Sequence, residues 1–331
     1  MNIIAEIGQA HEGSLGILHS YIDALKDTGV NAIKFQTHIA LAESSYLEPF
    51  RVKFSYEDTT RFDYWKRMEF TQTQWAGIKS HCEDLGMDFI SSPFSITAVE
   101  LLESIGTEKY KIGSGEVTNL LMLERIAKTG KEVILSSGMS NWAELDQATE
   151  VLKTHGVKYS ILQCTTAYPT APENWGLNVI PELRERYGVQ VGFSDHSGDI
   201  YACLAAASLG AEILEFHAVF DKRMFGPDTK ASLTIDQITN LCKGVGLITK
   251  ALNNPVTKDK NEKYIPLKAI FEKTLSINSE LKKGEKLELK HLEAKKPANV
   301  GIPASDYLQV IGKKLNKDLK AWDFLTNDDI Q

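Results

Sequence analysis

Two histidines with acidic neighbours, His196 in VGFSDH (191–196) and His217 in ILEFHA (213–218), are the first candidates for chemistry. In an extended segment residues i and i+2 share a face, so Glu215 and His217 point the same way. Two neutral imidazoles with open coordination suit Mn²⁺, Zn²⁺ or Fe²⁺, and nearby carboxylates favour a hard or borderline ion. A histidine of this kind can instead be a hydrogen-bonded structural residue; two in successive segments, each beside an acid, favour a metal. Lys34 and Lys111 supply ammonium groups, and Ser92, Ser114, Ser136 and Ser194 supply hydroxyls at equivalent positions of other segments. Together with the backbone of Gly113-Ser114-Gly115 they suit a phosphate or a carboxylate. A buried lysine can also form an imine, but that needs a desolvated, uncharged neighbourhood, and the converging hydroxyls favour anion binding. One or two of the serines are expected merely to cap the following helix.

The elements that must position these groups follow from the hydrophobic pattern. Eight short apolar runs recur: IIAEIG (3–8), AIKFQT (32–37), DFISSP (88–93), YKIGSG (110–115), VILSSG (133–138), YSILQC (159–164), VGFSDH (191–196) and ILEFHA (213–218). Eight β-type runs alternating with helix-patterned stretches predict an α/β fold, a (β/α)₈ TIM barrel whose C-terminal strand ends form the active site. Glu6, Lys34, Gln36, Ser92, Lys111, Ser114, Ser136, Ser194, Asp195, His196, Glu215 and His217 collect there. Packing does not require so many polar groups at one end of eight strands, so the chain reads as an enzyme. The spacing predicts helices over 14–28, 141–155, 199–209 and 234–252; Asn141 and Glu144 form a capping signal and Gly156 stands beyond the end. The second repeat, from Ile33 to Phe89, is roughly twice as long as the others. Its excess, 39–70, is rich in aromatic and charged residues and is either a cover for the barrel mouth or a packed structural excursion. His11-Glu12-Gly13 and Phe225-Gly226-Pro227-Asp228 are weaker signals, the second able to deliver Asp228 to the mouth.

The 331-residue chain suits a barrel over 1–252 and a small module over 267–331, joined by a polar, lysine- and proline-containing stretch at 253–266 that reads as an extended linker. Hydrophobic content of 43% and charged content of 24% are ordinary for a globular protein. A net charge of −7 argues against a nucleic-acid partner. The amino-terminal stretch lacks a signal-peptide pattern and the most apolar run, 201–211, is too short to span a bilayer, so no membrane role is expected. Cys82, Cys164, Cys203 and Cys242 lack a C-x-x-C spacing and fit free thiols in a reducing, cytoplasmic compartment.

In combination, AEIGQAHEGSL (5–15), IKFQTH (33–38), SSPFS (91–95), YKIGSGE (110–116), ILSSGM (134–139), CTTAYPT (164–170), GFSDHS (192–197), LEFHA (214–218) and GPD (226–228) resemble the sialic acid synthase (NeuB-like) family. LKKGEKLELKHLEAKKP (281–297) resembles that family's C-terminal antifreeze-like SAF domain. The resemblance implies condensation of phosphoenolpyruvate with an open-chain N-acetylated hexosamine, such as N-acetylmannosamine, giving a nine-carbon 2-keto acid and phosphate. By motif it assigns Lys34, Ser92, Lys111, Ser114, Ser136 and Ser194 to phosphoenolpyruvate. It assigns Glu6, Gln36, Glu116, Tyr168 and Asp228 to the acceptor, and a divalent ion, Mn²⁺ or Mg²⁺, to His196 and His217. Glu6, Glu215 and His217 are the candidates for catalysis. Thr166 stands where the family commonly has Asn, Phe216 where it has Arg, and Lys296 where the SAF domain offers an arginine to the partner's acceptor site. A domain-swapped homodimer is expected. Rivals are another phosphoenolpyruvate-dependent keto-acid synthase, against which the SAF-like tail argues; a metal-dependent hydrolase, for which the H-x-H of the first strand is missing; and a non-catalytic carbohydrate-binding protein.

Overall fold

The computed structural model describes residues 1–259 and 261–331, and Lys260 of the expected linker lies outside the described residues. The chain divides into two compact units, Met1–Asn254 and Pro255–Gln331.

In the first unit the eight apolar runs form strands β1 (Asn2–Glu6), β2 (Ala32–Thr37), β3 (Asp88–Pro93), β4 (Lys109–Ile112), β5 (Glu132–Ser136), β6 (Tyr159–Cys164), β7 (Gln190–Asp195) and β8 (Ile213–Val219). They pair in parallel in chain order, and β1 closes on β8 from Asn2↔Ile213 to Glu6↔His217. Alternation along each strand divides the side chains. Ile4, Ala32, Ile90, Ile134, Leu162 and Ile213 pack into one buried aliphatic layer, the isoleucines and the leucine each contributing about 1.5–3 kcal/mol by leaving water. Their alternating neighbours, such as Ile3, Ile33, Phe89, Tyr110, Leu135 and Leu214, join the core shared with the surrounding helices. Gly192 of β7 is an inward position where a Cβ would collide with the Ile213 carbonyl oxygen and the Leu162 side chain. Two residues further along each strand the inward positions turn polar, which puts the charged layer directly on an apolar floor.

The helices are α1 (Leu15–Leu25), α2 (Ala40–Glu43), α3 (Arg61–Met68), α4 (Gln72–Asp84), α5 (Ile96–Ser104), α6 (Leu120–Ala127), α7 (Trp142–Thr154), α8 (Val179–Tyr187), α9 (Tyr201–Ser208) and α10 (Ile235–Leu252). Asn141 caps α7 in a reciprocal box with Glu144, as its spacing predicts, and Ser14 caps α1. A short β9 (Leu233–Thr234) continues alongside β8. The 39–70 excursion meets both descriptions given above. It has its own small core of Ala40, Tyr64, Trp65 and Met68 with Phe50, Phe54 and Phe62. It also reaches the mouth, where Phe54 lies 5.5 Å from the ring of Phe225 and Arg67 bonds Glu12 at 3.1 Å. No helix among the described residues is long and apolar enough to cross a membrane.

In the second unit, part of the stretch expected to be extended is helical. A 3₁₀ turn at Glu262–Tyr264 leads into α11 (Ile265–Phe271), with Pro266 in its first turn. The proline reads as a breaker from sequence, yet its fixed φ suits a helix start, where its missing N–H has no partner to lose. Beyond it β10 (Thr274–Ile277) pairs antiparallel with β11 (Leu292–Lys295). Leu275, Ile277, Leu281, Leu287, Ile302, Val310, Leu315, Leu319, Leu325 and Ile330 form a separate core.

Candidate active site

The C-terminal strand ends enclose a small cavity lined by Glu6, Lys34, Gln36, Ser92, Phe94, Lys111, Gly113, Ser114, Ser136, Cys164, Tyr168, Ser194, His196, Glu215 and His217. Its centre is a chain of buried charges. Lys34 Nζ lies 2.8 Å from Glu6 Oε2 and 3.0 Å from Glu215 Oε1, and Lys111 Nζ lies 3.0 Å from the same Glu215 oxygen. Lys111 also donates to Ser136 Oγ (2.7 Å), and Ser194 Oγ donates to Glu215 Oε1 (2.9 Å). Glu6 accepts from Gln36 Nε2 (2.7 Å) and stands 3.2 Å from His217 Nε2. All four charged side chains are at least 96% buried within the barrel.

Burial alone raises a carboxylate pKa and lowers that of an ammonium. For Glu6 burial is outweighed by His217, Lys34 and Lys111, which hold its carboxyl well below the usual range. Glu215 is likewise held low, burial being overcome by Lys111 and Lys34. For Lys34 burial yields to Glu215 and Glu6, and its pKa rises. Lys111 goes the other way: burial dominates over Glu215, and Lys34 adds to the fall. The two lysines are thus unequal, one locked as a cation and one held near the limit of what its surroundings compensate.

Two polar atoms in this layer, Ser92 Oγ and Glu215 Oε2, are buried without a hydrogen-bond partner. About 60 Å³ remains open, room for a water or two. Glu215 serves both lysines as an internal counter-ion, with which an anion placed between them would compete. A wider depression of about 590 Å³ opens at the opposite, N-terminal end of the barrel, lined by Asn31, Asp88, Lys109, Glu132 and Gln190 among others. Lys109 is paired there with Asp88 at 2.9 Å, and none of the polar strand-end residues reaches it.

The imidazoles form another edge of the cavity. The rings of His196 and His217 are 5.2 Å apart, and the Tyr168 ring lies 4.2 Å from His196 and 6.1 Å from His217. His196 Nδ1 stands 3.0 Å from the Thr165 carbonyl oxygen, which fixes the ring and leaves Nε2 for a ligand. Burial lowers the pKa of His217, with Glu6 opposing, so the neutral imidazole a metal needs is favoured. Among the described residues no set of three or more His, Cys, Asp or Glu side chains is arranged to hold an ion unaided. The two imidazoles alone could offer an ion two positions, and His196 would first have to give up a proton, because burial, which lowers its pKa, is outweighed by Cys164 and the Thr165 carbonyl, which raise it to about 9.

Four expected residues lie outside the lining. Asp195, one position out of step with inward Ser194, instead accepts from the backbone N–H and hydroxyl of Ser197. Glu116, in the 3₁₀ turn Ser114–Glu116, accepts from Asn119 Nδ2 at 2.8 Å, and burial raises its pKa. Asp228 sits on the rim and pairs with Arg51. Lys296 belongs to the second unit, where its ammonium lies 5.0 Å from the ring centre of Phe271.

Sequence comparison bears on what this cavity does. Residues 21–257 match the NeuB family and residues 278–331 match the SAF domain. The chain belongs to the NeuB family. Relatives of this NeuB-family chain include the N,N'-diacetyllegionaminic acid synthase of Campylobacter jejuni, 34% identical over 96% of both chains. The human N-acetylneuraminate-9-phosphate synthase is 31% identical over 95% of this chain and 88% of that one. A pseudaminic acid synthase of Campylobacter jejuni is 32% identical over 99% and 96%. Among solved structures, the N-acetylneuraminic acid synthetase of Leptospira borgpetersenii, in complex with citrate, superposes with a TM-score of 0.71 at 29% identity. The alignment covers 80% of this chain and 89% of that one. The chain is thus an enzyme whose relatives are nonulosonic acid synthases. A 3-deoxy-D-arabino-heptulosonate 7-phosphate synthase of Thermotoga maritima, at 15% identity and a TM-score of 0.58, shares the barrel fold.

Several residues of this NeuB-family site are not among the sequence candidates. Cys164 ends β6 with its Sγ 3.5 Å from Ser114 Oγ and 3.8 Å from His196 Nδ1. Burial would raise its pKa, but His196 and the neighbouring hydroxyl outweigh burial and lower it. Its signal was positional: two residues after inward Leu162, it must face inward as well. Gly138 follows β5 where a Cβ would stand 2.5 Å from both Ser114 Oγ and Thr166 Oγ1, so the loop passes as close as backbone permits. His38, 3.0 Å from Gln36 Oε1, and Gln9, which donates to the same oxygen, fix the Gln36 side chain. Arg51 is visible only once the excursion is folded over the mouth.

Proposed function

We propose that this enzyme condenses phosphoenolpyruvate with the open-chain form of an N-acetylated hexosamine and water, giving a nine-carbon 2-keto acid and phosphate. The observation that carries the reading is the pairing, in one buried cavity, of Lys34 and Lys111 beside unpartnered Ser92 Oγ with two imidazoles 5.2 Å apart. The first set suits a small polyanion and the second a divalent ion.

Lys34 and Lys111 take the phosphate and carboxylate of phosphoenolpyruvate, and Ser92, Ser114, Ser136 and Ser194 orient it. A divalent ion on His196 and His217, Mn²⁺ or Mg²⁺, would supply Lewis-acid polarisation of the acceptor's aldehyde oxygen. Glu6, beside His217, and Gln36 face the acceptor, with Tyr168, Glu116 and Asp228 toward its far end. C3 of the enol attacks the aldehyde carbon, and C2 takes on cationic character that a water captures. Glu6 or Glu215, both ionised in the resting site, accepts the proton that water gives up and passes it to the former aldehyde oxygen, which becomes the new hydroxyl. The tetrahedral species then expels phosphate by cleaving the C2–O bond and becomes the 2-keto acid.

The legionaminic, pseudaminic and neuraminic acid synthases among the relatives support the acceptor class. Two copies pair in this reading so that each tail brings Lys296 to the partner's barrel mouth; the separate core of the tail supports its acting as an independent arm. Four free thiols support a reducing, cytoplasmic compartment. Phosphoenolpyruvate labelled with ¹⁸O at the C–O–P bridge tests the chemistry. The label should leave with phosphate, and its retention in the keto acid would overturn C–O cleavage. For the assembly, truncation after residue 258 should abolish the dimer in light scattering; unchanged mass and turnover would contradict it.

A further inference from the structure

Arg51 stands in the excursion between β2 and β3. Its guanidinium lies over the ring of Tyr168, 4.2 Å from the ring centre, and donates to Asp228 Oδ1. Tyr168 comes from the loop after β6 and Asp228 from the loop after β8, so one side chain bridges three mouth loops. The trio adjoins the imidazole edge of the cavity, since the Tyr168 ring packs against His196. It stays open to water, with the Arg51 side chain 41% exposed and that of Asp228 17%. The excursion presents Arg51 from an element with its own apolar core, fastened at its base by Arg67 to Asp58 (2.8 Å) and Glu12 (3.1 Å).

Resting on the reading above, we propose that Arg51, with Asp228 and Tyr168, forms the subsite for the distal end of the acceptor and selects an end that is polar but uncharged. The chemistry of the trio matches hydroxyl and amide substituents. Asp228 accepts from O–H or N–H, Arg51 donates to hydroxyl or carbonyl oxygen, and the Tyr168 ring receives a C–H face. A phosphate ester would need positive charge without a counter-ion. The three arginines of the excursion are each matched: Arg51 by Asp228, Arg61 by Glu48 at 3.6 Å and the ring of Trp65, and Arg67 by Asp58 and Glu12. A dianion at this edge meets the Asp228 carboxylate beside the Arg51 guanidinium, and like charges disfavour it.

Steady-state kinetics of the full-length enzyme with N-acetylmannosamine, its 6-phosphate and a diacetamido-hexose test this. The wild type should use a neutral acceptor at least about tenfold better, by kcat/KM, than the phosphorylated one. Arg51→Ala should raise the acceptor KM by about tenfold, as expected for losing a charged hydrogen bond, with the phosphoenolpyruvate KM within about twofold. Arg51→Lys should recover only part, because an ammonium lacks the planar fork and the stacking. Asp228→Asn should narrow the gap between phosphorylated and neutral acceptors. An Arg51→Ala enzyme with an unchanged acceptor KM overturns the inference while leaving the synthase reading intact. So does a rise in both KM values together with a lower thermal midpoint, or a wild type that prefers the phosphorylated sugar. A wild type that releases no phosphate from phosphoenolpyruvate with any acceptor overturns both.

Discussion

Replacing Glu215 by Gln would remove one charge and almost no volume from the centre of the cavity. Glu215 Oε1 faces both Lys34 and Lys111 at 3.0 Å and accepts from Ser194 at 2.9 Å, with its side chain 1% exposed. Lys34 keeps Glu6 at 2.8 Å, whereas Lys111 is left with Ser136 alone. Breaking a buried pair from one side costs about 3–5 kcal/mol, because the remaining charge is uncompensated. Lys111 can escape part of that cost by shedding its proton, since burial already lowers its pKa. A loss near the lower figure, about 3 kcal/mol, follows, and it translates into a thermal midpoint lower by roughly 6–12 °C for a domain of this size. Phosphoenolpyruvate reverses the sign of the change. Its negative charge replaces the one removed and no longer competes with Glu215 for the lysines. Calorimetric melting near neutral pH, with and without saturating phosphoenolpyruvate, should show a larger ligand-induced rise in the variant than in the wild type. A variant that melts with the wild type and gains no more from the ligand would refute the counter-ion role.

Three further outcomes are expected. His217→Ala should abolish phosphate release with the fold intact by circular dichroism, and EDTA should do the same to the wild type; activity surviving either would remove the metal assignment. Gly192→Ala should destabilise the barrel by several kcal/mol, because its Cβ meets the Ile213 carbonyl, which cannot rotate away; denaturant midpoints equal to wild type would contradict that packing. Asp195 has its pKa raised from 3.8 to about 6, mainly by burial and against bonds from Ser197. Between those values the unfolded chain is ionised while the folded one stays protonated, so its contribution falls as pH rises through 6. Asp195→Asn should therefore gain about 1–3 kcal/mol over wild type above pH 6 and lose the gain below the unfolded value. A gain that is independent of pH would count against this.

Much of the barrel was legible because a two-residue period is a local property. The alternation that sends Ile4 inward also sends Glu6 inward, and the same holds for Ile213 and Glu215, or Ile134 and Ser136. The polar ends of seven of the eight segments could therefore be assembled into one cavity without coordinates, and the NeuB resemblance named the family. The helix start at Asn141 was equally local, being written in two residues three apart. What sequence could not supply was pairing across loops. Nothing near Arg51 indicates that it meets Asp228, because that contact depends on how the 39–70 excursion folds on its own core. The counter-ion role of Glu215 was hidden for the same reason: it needs the distances to two lysines on β2 and β4. Pro266 was misread because the residue that breaks a helix in its interior also begins one. Glu116 shares a motif with Ser114, but the 3₁₀ turn that carries it leaves it outside the cavity lining, where it accepts from Asn119.

The most direct test is product mass spectrometry after incubating the enzyme with phosphoenolpyruvate, a divalent ion and a panel of N-acetylated hexosamines. A new acid heavier than one acceptor by a single pyruvate unit, formed in step with phosphate and absent when either substrate or the ion is omitted, is the predicted result. Phosphate release without any such acid, or no reaction across the panel, would contradict the function assigned to the paired lysines and imidazoles.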